Sequence, residues 1–141
     1  MAYLLDTHAF LWFVAGDSQL PISVREKIKD INTPCFLSSA SLWEITIKVQ
    51  IGKLSLGISL DKLFQFVERN QIEIIQITND HLLTLSTLPK HHGDPFDRLI
   101  ISQAIAENLT LISRDKGLKK YKVKLEWSWL PVNDRKQNPF R

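Results

Sequence analysis

Short apolar runs, each ending in a polar or acidic residue, alternate along this chain with stretches of helical periodicity. Tyr3-Leu4-Leu5 is the first such run and empties into Asp6, which predicts a buried strand. Thr7 is placed to cap a helix over His8–Val14, and Gly16-Asp17-Ser18 breaks it. Ser23–Ile31 predicts a second helix with Val24, Ile28 and Ile31 on one face, stopped by Thr33-Pro34. Cys35-Phe36-Leu37 predicts a second strand and runs into Ser38-Ser39. Ser59–Asn70 predicts a helix with Leu60, Leu63, Phe64 and Val67 facing inward, and Ile72–Ile77 a third strand. Asn79–Leu88 predicts a helix stopped by Pro89, and Pro95–Asn108 a strong helix. Thr110–Ser113 predicts a fourth strand, Asp115–Lys120 a short helix, and Val123–Trp127 a final strand.

Ala40–Ile51 reads two ways. Glu44 to Ile51 alternates polar and apolar residues and is rich in β-branched side chains, as a strand would be. On a helical wheel, Leu42, Ile45 and Val49 form one apolar stripe, and Ala40, Trp43, Ile47 and Ile51 another. Glu44 and Lys48 then share the polar edge at i,i+4, and Gly52 is a fitting stop. Local pattern does not choose between them.

Strands alternating with helices define an α/β protein with a central, mainly parallel sheet flanked by helices. At 141 residues there is room for one domain, over residues 1–127, with the polar, two-proline segment 128–141 as a surface tail. An apolar content of 44% excludes a disordered chain, and the single cysteine, Cys35, excludes an internal disulfide and a cysteine-based zinc site. Cys35 reads as a small buried side chain. The apolar N-terminus lacks a basic leader and is interrupted by Asp6 and His8. No run reaches the ~18 apolar residues of a membrane span. The expectation is a cytoplasmic protein with no membrane partner. A net charge of +3 permits a polyanionic partner without demanding one.

The chemistry-bearing candidates are carboxylates. Asp6 ends the first strand, Glu44 follows the second, Asp97 lies in the first turn of the Pro95 helix, and Asp115 follows the fourth strand. Ligands of open parallel sheets bind beyond the carboxyl ends of the strands, where three of these acids belong by position. Asp97 is in line with Ile101, Ala104 and Asn108, on the buried face of its helix, where an unpaired charge is costly. Asp94 reads as the N-cap, with Pro95 at N1. Each acid also has a plain reading: Asp6 and Asp115 as caps, Glu44 as a surface partner of Lys48, Asp97 as an N3 acid favoured by the helix dipole. Taken together, carboxylates within ~4–6 Å of one another must spread, take up protons or share a hard cation. An all-oxygen set suits magnesium or manganese. Arg98, Arg114, Lys116, Lys119 and Lys120 adjoin the acids, and Lys48 and Lys53 follow Glu44; they read as phosphate-positioning groups or as solvated surface charges. His91 reads as a loop residue and His92 as either a supporting donor or a loop residue. Trp12 and Trp43 read as core rather than as base-stacking platforms.

Leu4-Leu5-Asp6-Thr7-His8, Ser41-Leu42-Trp43-Glu44-Ile45, His92-Gly93-Asp94-Pro95-Phe96-Asp97-Arg98-Leu99 and Leu111-Ile112-Ser113-Arg114-Asp115 together resemble the PIN-domain family, in particular its VapC-type toxins. The resemblance spans Tyr3 to Trp127. It implies a small α/β sandwich and a helical Ala40–Ile51. It implies an endoribonuclease whose Asp6, Glu44, Asp97 and Asp115 are catalytic and bind Mg2+ or Mn2+, with Thr7 and Ser113 in support and Lys48, Arg98 and Arg114 toward the RNA substrate. It also implies a homodimer silenced by a small antitoxin. The 128–141 tail departs from the family's usual ending. Three other readings compete. A haloacid-dehalogenase phosphatase needs a second Asp at position 8, which is His. A receiver domain needs an early acid pair and a late lysine. A silent PIN module is opposed by the presence of all four acids.

Overall fold

The computed structural model describes residues 1–129, so most of the predicted 128–141 tail lies outside the described residues. Five strands form one sheet: β1 (Tyr3–Leu5), β2 (Cys35–Ser38), β3 (Glu73–Ile75), β4 (Thr110–Ile112) and β5 (Lys124–Glu126). The order is β3-β2-β1-β4-β5, and every pairing is parallel. Tyr3 pairs with Cys35 on one side and with Thr110 on the other. The chain thus builds outward from β1 in one direction, then crosses to β1's other edge for β4. That reversal opens a crevice at the carboxyl ends of β1 and β4.

Six α-helices connect the strands: α1 (Thr7–Ala15), α2 (Ile22–Lys29), α3 (Ser39–Gln50), α4 (Leu60–Arg69), α5 (Asn79–Ser86) and α6 (Pro95–Ala106). A 3-10 turn, Lys116–Lys120, joins β4 to β5. The sheet separates two cores because successive strand side chains point to opposite faces. Tyr3, Leu5, Leu37 and Ile112 pack with Phe10, Phe13, Val24, Ile28, Ile45, Leu63 and Val67. Leu4 and Leu111 pack with Leu88, Ile100, Ile101, Ala104 and Tyr121. The result is a three-layer sandwich with the expected parallel sheet at its centre.

Ala40–Ile51 resolves as helix. Ser38 Oγ accepts the Ala40 N–H at 3.0 Å and starts α3, and Ala40, Ser41, Glu44 and Ile45 are its buried positions. A strand would have buried alternate residues; here burial follows i, i+4. Other details differ from expectation. The third strand is confined to Glu73–Ile75. α2 ends at Lys29, and Ile31 is 81% exposed beyond it. Phe64 faces solvent, while Phe66 packs edge-on against Phe13 at 5.6 Å. α6 ends at Ala106, and Asn108 has a left-handed φ of 54°, so it closes the helix rather than extending its buried face. Gly16, at φ 64°, ends α1 with its N–H on the carbonyls of Phe13 and Trp12.

Phe10 is fully buried in the core that holds α1 to the sheet. Phe10→Ala is expected to cost about 3–5 kcal/mol, read as a lower urea midpoint. A loss below about 1 kcal/mol would show that α1 is not anchored there.

Candidate active site

Parallel topology decides where the acids meet. α1 and α3 start at the carboxyl ends of β1 and β2, and α6 runs antiparallel to the sheet into β4. All three helix N-termini therefore lie over the same edge, where β4 also delivers Ser113 and Asp115.

Asp6, not Thr7, caps α1: its Oδ1 accepts the Ala9 N–H at 2.7 Å. Thr7 is the first helical residue, and its buried hydroxyl donates to Glu44 Oε1 at 2.9 Å and lies 3.0 Å from Ser41 Oγ. The Asp6 carboxyl is held above its usual range, mainly by burial and further by Asp115, with the Ser113 hydroxyl, the Ala9 amide and His8 opposing.

Glu44 is 4% exposed, so it is not a surface residue. It does pair with Lys48, whose Nζ donates to Oε2 at 2.8 Å. That hydrogen bond raises the Lys48 ammonium above its ordinary value, against the opposing effect of burial. Lys48 also feels Asp94 and Asp97, which places it on the border of the whole acidic group.

Asp94 caps α6 twice, its Oδ1 accepting from Phe96 N–H at 2.8 Å and Asp97 N–H at 3.2 Å. Asp97 sits in the first turn behind Pro95. Its carboxyl is pushed up to about 6, first by burial, then by Asp94, with Glu44 and Asp6 adding and His92 opposing. His92 Nδ1 accepts the Asp94 N–H at 3.1 Å, which puts the ring proton on Nε2. That Nε2 stands 3.4 Å from Asp97 Oδ2 and 3.7 Å from Asp115 Oδ2. His92 is thus a donor set between two acids, not a passive loop residue. Asp115 caps the 3-10 turn through the Gly117 N–H at 2.8 Å, and Ser113 Oγ accepts the Asp115 N–H at 3.1 Å.

The structure brings Asp6, Glu44, Asp97 and Asp115 to one edge, close enough for Asp97 to feel Glu44 and Asp6, and Asp6 to feel Asp115. Among the described residues, no three such groups already stand in metal-holding positions. Lys48 and His92 are instead interposed between them. The donor set nonetheless fits a hard divalent cation. It is all carboxylate oxygen, and two of its members, Asp6 and Asp97, hold their protons above the usual range, first through burial and further through neighbouring carboxylates.

The remaining candidates are less uniform. Arg98 commits its guanidinium to the carbonyls of Pro89 and Leu88, at 2.9 and 3.1 Å, and so clamps the turn before α6. Arg114 lies over the Trp12 ring, 4.5 Å from its centroid, and donates to Gln19 Oε1. His91 is a loop residue whose N–H donates to the Tyr121 hydroxyl. Trp43 is not core: it is 59% exposed and meets Phe96 edge-on at 5.2 Å, while Ala40, of the same stripe, is buried. Cys35 is buried and its thiol is pushed up to about 12, which leaves it inert. Ser41 was not singled out from the sequence; its place three residues before Glu44, on the same helix face, was the available signal.

The PIN-domain family model matches residues 3–124, and the chain belongs to that family. It is similar to Ribonuclease VapC22 of Mycobacterium tuberculosis, 27% identical over 121 residues that cover 84% of this chain and 91% of the relative. Among solved structures it resembles VapBC2 from Rickettsia felis bound to a promoter DNA fragment, with TM-score 0.71 and 25% identity over 91% of this chain and all of that one. DNA-bound VapBC from Salmonella typhimurium shares the fold at TM-score 0.65 and 14% identity, covering 89% of this chain and 97% of that one. No helix among the described residues is long and apolar enough to cross a membrane.

Crowding at Asp97 has a consequence for stability. Its ordinary value is 3.8 and its folded value about 6, so the stability it lends when protonated is complete below 3.8 and lost as pH rises through about 6. A fully shielded group would account for about 3 kcal/mol. Asp97 is 34% exposed, and screening reduces this to about 1 kcal/mol. Without divalent cations, Asp97→Asn is expected to be more stable than the parent at pH 7 by that amount, with the advantage vanishing near pH 4. Urea titrations in EDTA at both pH values measure it, and equal midpoints at pH 7 would mean the carboxylates are not crowded.

Proposed function

We propose that this chain is an endoribonuclease that depends on Mg2+ or Mn2+ and acts as the toxin of a toxin–antitoxin pair. The observation that carries this reading is the gathering of the acids at the carboxyl ends of β1 and β4: His92 Nε2 lies 3.4 Å from Asp97 and 3.7 Å from Asp115, and Glu44 is tied to Thr7, next to Asp6, at 2.9 Å. Similarity to a protein named as a ribonuclease supports the reaction class, and similarity to VapBC assemblies supports a small antitoxin as partner. Homodimer formation and a cytoplasmic location belong to the same reading.

Asp6, Glu44, Asp97 and Asp115 would hold the cation. When bound there, a divalent ion makes water more acidic and stabilises charge on a phosphodiester undergoing in-line displacement. The protein's own groups prepare that site. Thr7 fixes Glu44 Oε1 through a buried hydroxyl, and Ser113 fixes the backbone at Asp115. The His92 Nε2–H, between Asp97 and Asp115, is placed to donate to a non-bridging phosphate oxygen. Lys48 and Arg114 flank the edge and would hold neighbouring phosphates. Arg98 contributes by clamping the turn that carries His92.

The test is cleavage of single-stranded RNA by purified protein with Mg2+, and its loss in EDTA. Asp97→Asn and Glu44→Gln should each lower kcat by more than the roughly 10–100-fold typical of losing an outer supporting group. Thr7→Ala should fall within that range. Cleavage that survives EDTA, or an Asp97→Asn protein that cuts at the parental rate, would refute the reading.

A further inference from the structure

Beside the acids lies a rim of tryptophans and cations, of which the reading above uses only Arg114. His8 follows Asp6 by two residues and its ring stands 5.8 Å from Trp12. Trp12 meets Trp127, just past β5, at 6.0 Å. Arg114, next to Asp115, stacks on Trp12 at 4.5 Å. Trp129 Nε1–H donates to the Arg114 carbonyl at 3.2 Å, and Lys119 and Lys116 lie over the Trp129 ring at 4.7 and 5.9 Å. The contacts are continuous, from Asp6 along α1 to Arg114 and on to the 3-10 turn.

Two features set this rim apart from ordinary packing. Cation–π pairs occur about once per 70–80 residues, so a chain of this length has a background of about two. Three of them fall on this one rim. In addition, Arg114, Lys116 and Lys119 are exposed, and among the described residues none of them pairs with a carboxylate. Unneutralised cations interleaved with half-buried indoles are what a flexible polyanion with flat, apolar bases requires. A duplex would keep its bases stacked on each other and present only phosphates.

We infer that this rim is a binding subsite for single-stranded RNA: an unpaired base next to the cleaved phosphodiester stacks on the Arg114–Trp12 pair, and Lys116, Lys119 and Trp129 hold the following nucleotide. The inference rests on the ribonuclease reading above and adds where the strand runs. Trp129 lies beyond residues 3–124, the stretch that the family model matches.

The test uses the full chain and a short single-stranded oligoribonucleotide carrying one 2-aminopurine, first in EDTA for binding and then in Mg2+ for cleavage. The parent should quench 2-aminopurine fluorescence on binding. Arg114→Ala and Trp129→Ala should weaken binding and raise KM about tenfold, as loss of one stacked base does, while kcat changes little. Trp129→Phe should restore most of the affinity, which loss of packing alone does not predict. Lys116→Ala with Lys119→Ala should reduce the slope of log Kd against log salt by about 1.4, at roughly 0.7 per phosphate contact; this pair decides the matter if Trp129→Ala fails to fold. A parent that cuts RNA while all these variants bind and cut like it would overturn the subsite and leave the ribonuclease reading standing. A parent that neither binds nor cuts RNA would remove both.

Discussion

Carboxylates brought to one edge of a sheet repel one another, and most of what distinguishes this molecule is the set of local devices that make that repulsion tolerable. Three helix N-termini and a 3-10 turn start at the edge, each directing positive backbone dipoles toward it. Asp6 takes the Ala9 amide, Asp94 those of Phe96 and Asp97, and Asp115 that of Gly117. Lys48 supplies a full cation, on Glu44, and His92 supplies an N–H between Asp97 and Asp115. Burial adds to the repulsion, and both fall on the same residues: Asp6 and Asp97 keep their protons above the usual carboxylate range, first because they are buried and then because of neighbouring carboxylates. A site that binds a cation needs some repulsion left over, because full internal neutralisation would leave nothing for an ion to gain.

How much of this was written in the chain depends on the length scale of the signal. The β1 and β4 runs and their terminal acids were legible because a buried parallel strand is a short apolar block with an abrupt end. The α6 start was legible because Asp-Pro-x-Asp fixes cap and first turn within four residues. α3 was not, since its β-branched residues satisfy both periods; only contact with β2 and α6 favours the helix. Ile31 and Phe64 fit their helical stripes but face solvent, one because α2 stops two residues earlier and the other because α4 buries a narrower face than its apolar residues allow.

The site residues divide along the same line. Sequence position placed Asp6, Asp97 and Asp115 at the edge but could not tell a cap from a ligand; the structure shows Asp6 and Asp115 as caps, a role that does not by itself exclude the other. Each carboxylate has two oxygens with several acceptor directions. One oxygen of Asp6 and one of Asp115 hold their helical starts. Thr7 was misread as the cap for the same reason: adjacent Asp and Thr are both good N-caps, and only the packing of Thr7 against Ser41 and Glu44 decides which takes the role. Long-range pairs of this kind, 34 and 37 residues apart, leave no local trace.

The double duty of these acids ties the fold to its chemistry. Two capping residues at this edge, Asp6 and Asp115, are also candidate ligands, and each has a second oxygen outside its bond to the capped amide. Such an arrangement holds the acids rigidly before any ion arrives, since each backbone turn depends on the carboxylate it carries. It also restricts where flexibility can lie. Glu44 and Asp97 cap nothing, and their partners, Lys48 and His92, are side chains that can rotate away. Backbone amides hold Asp6 and Asp115 at the ends of β1 and β4, and the buried Thr7 hydroxyl holds Glu44, so the Asp97–His92 pair on α6 and the loop before it is the adjustable side of this edge.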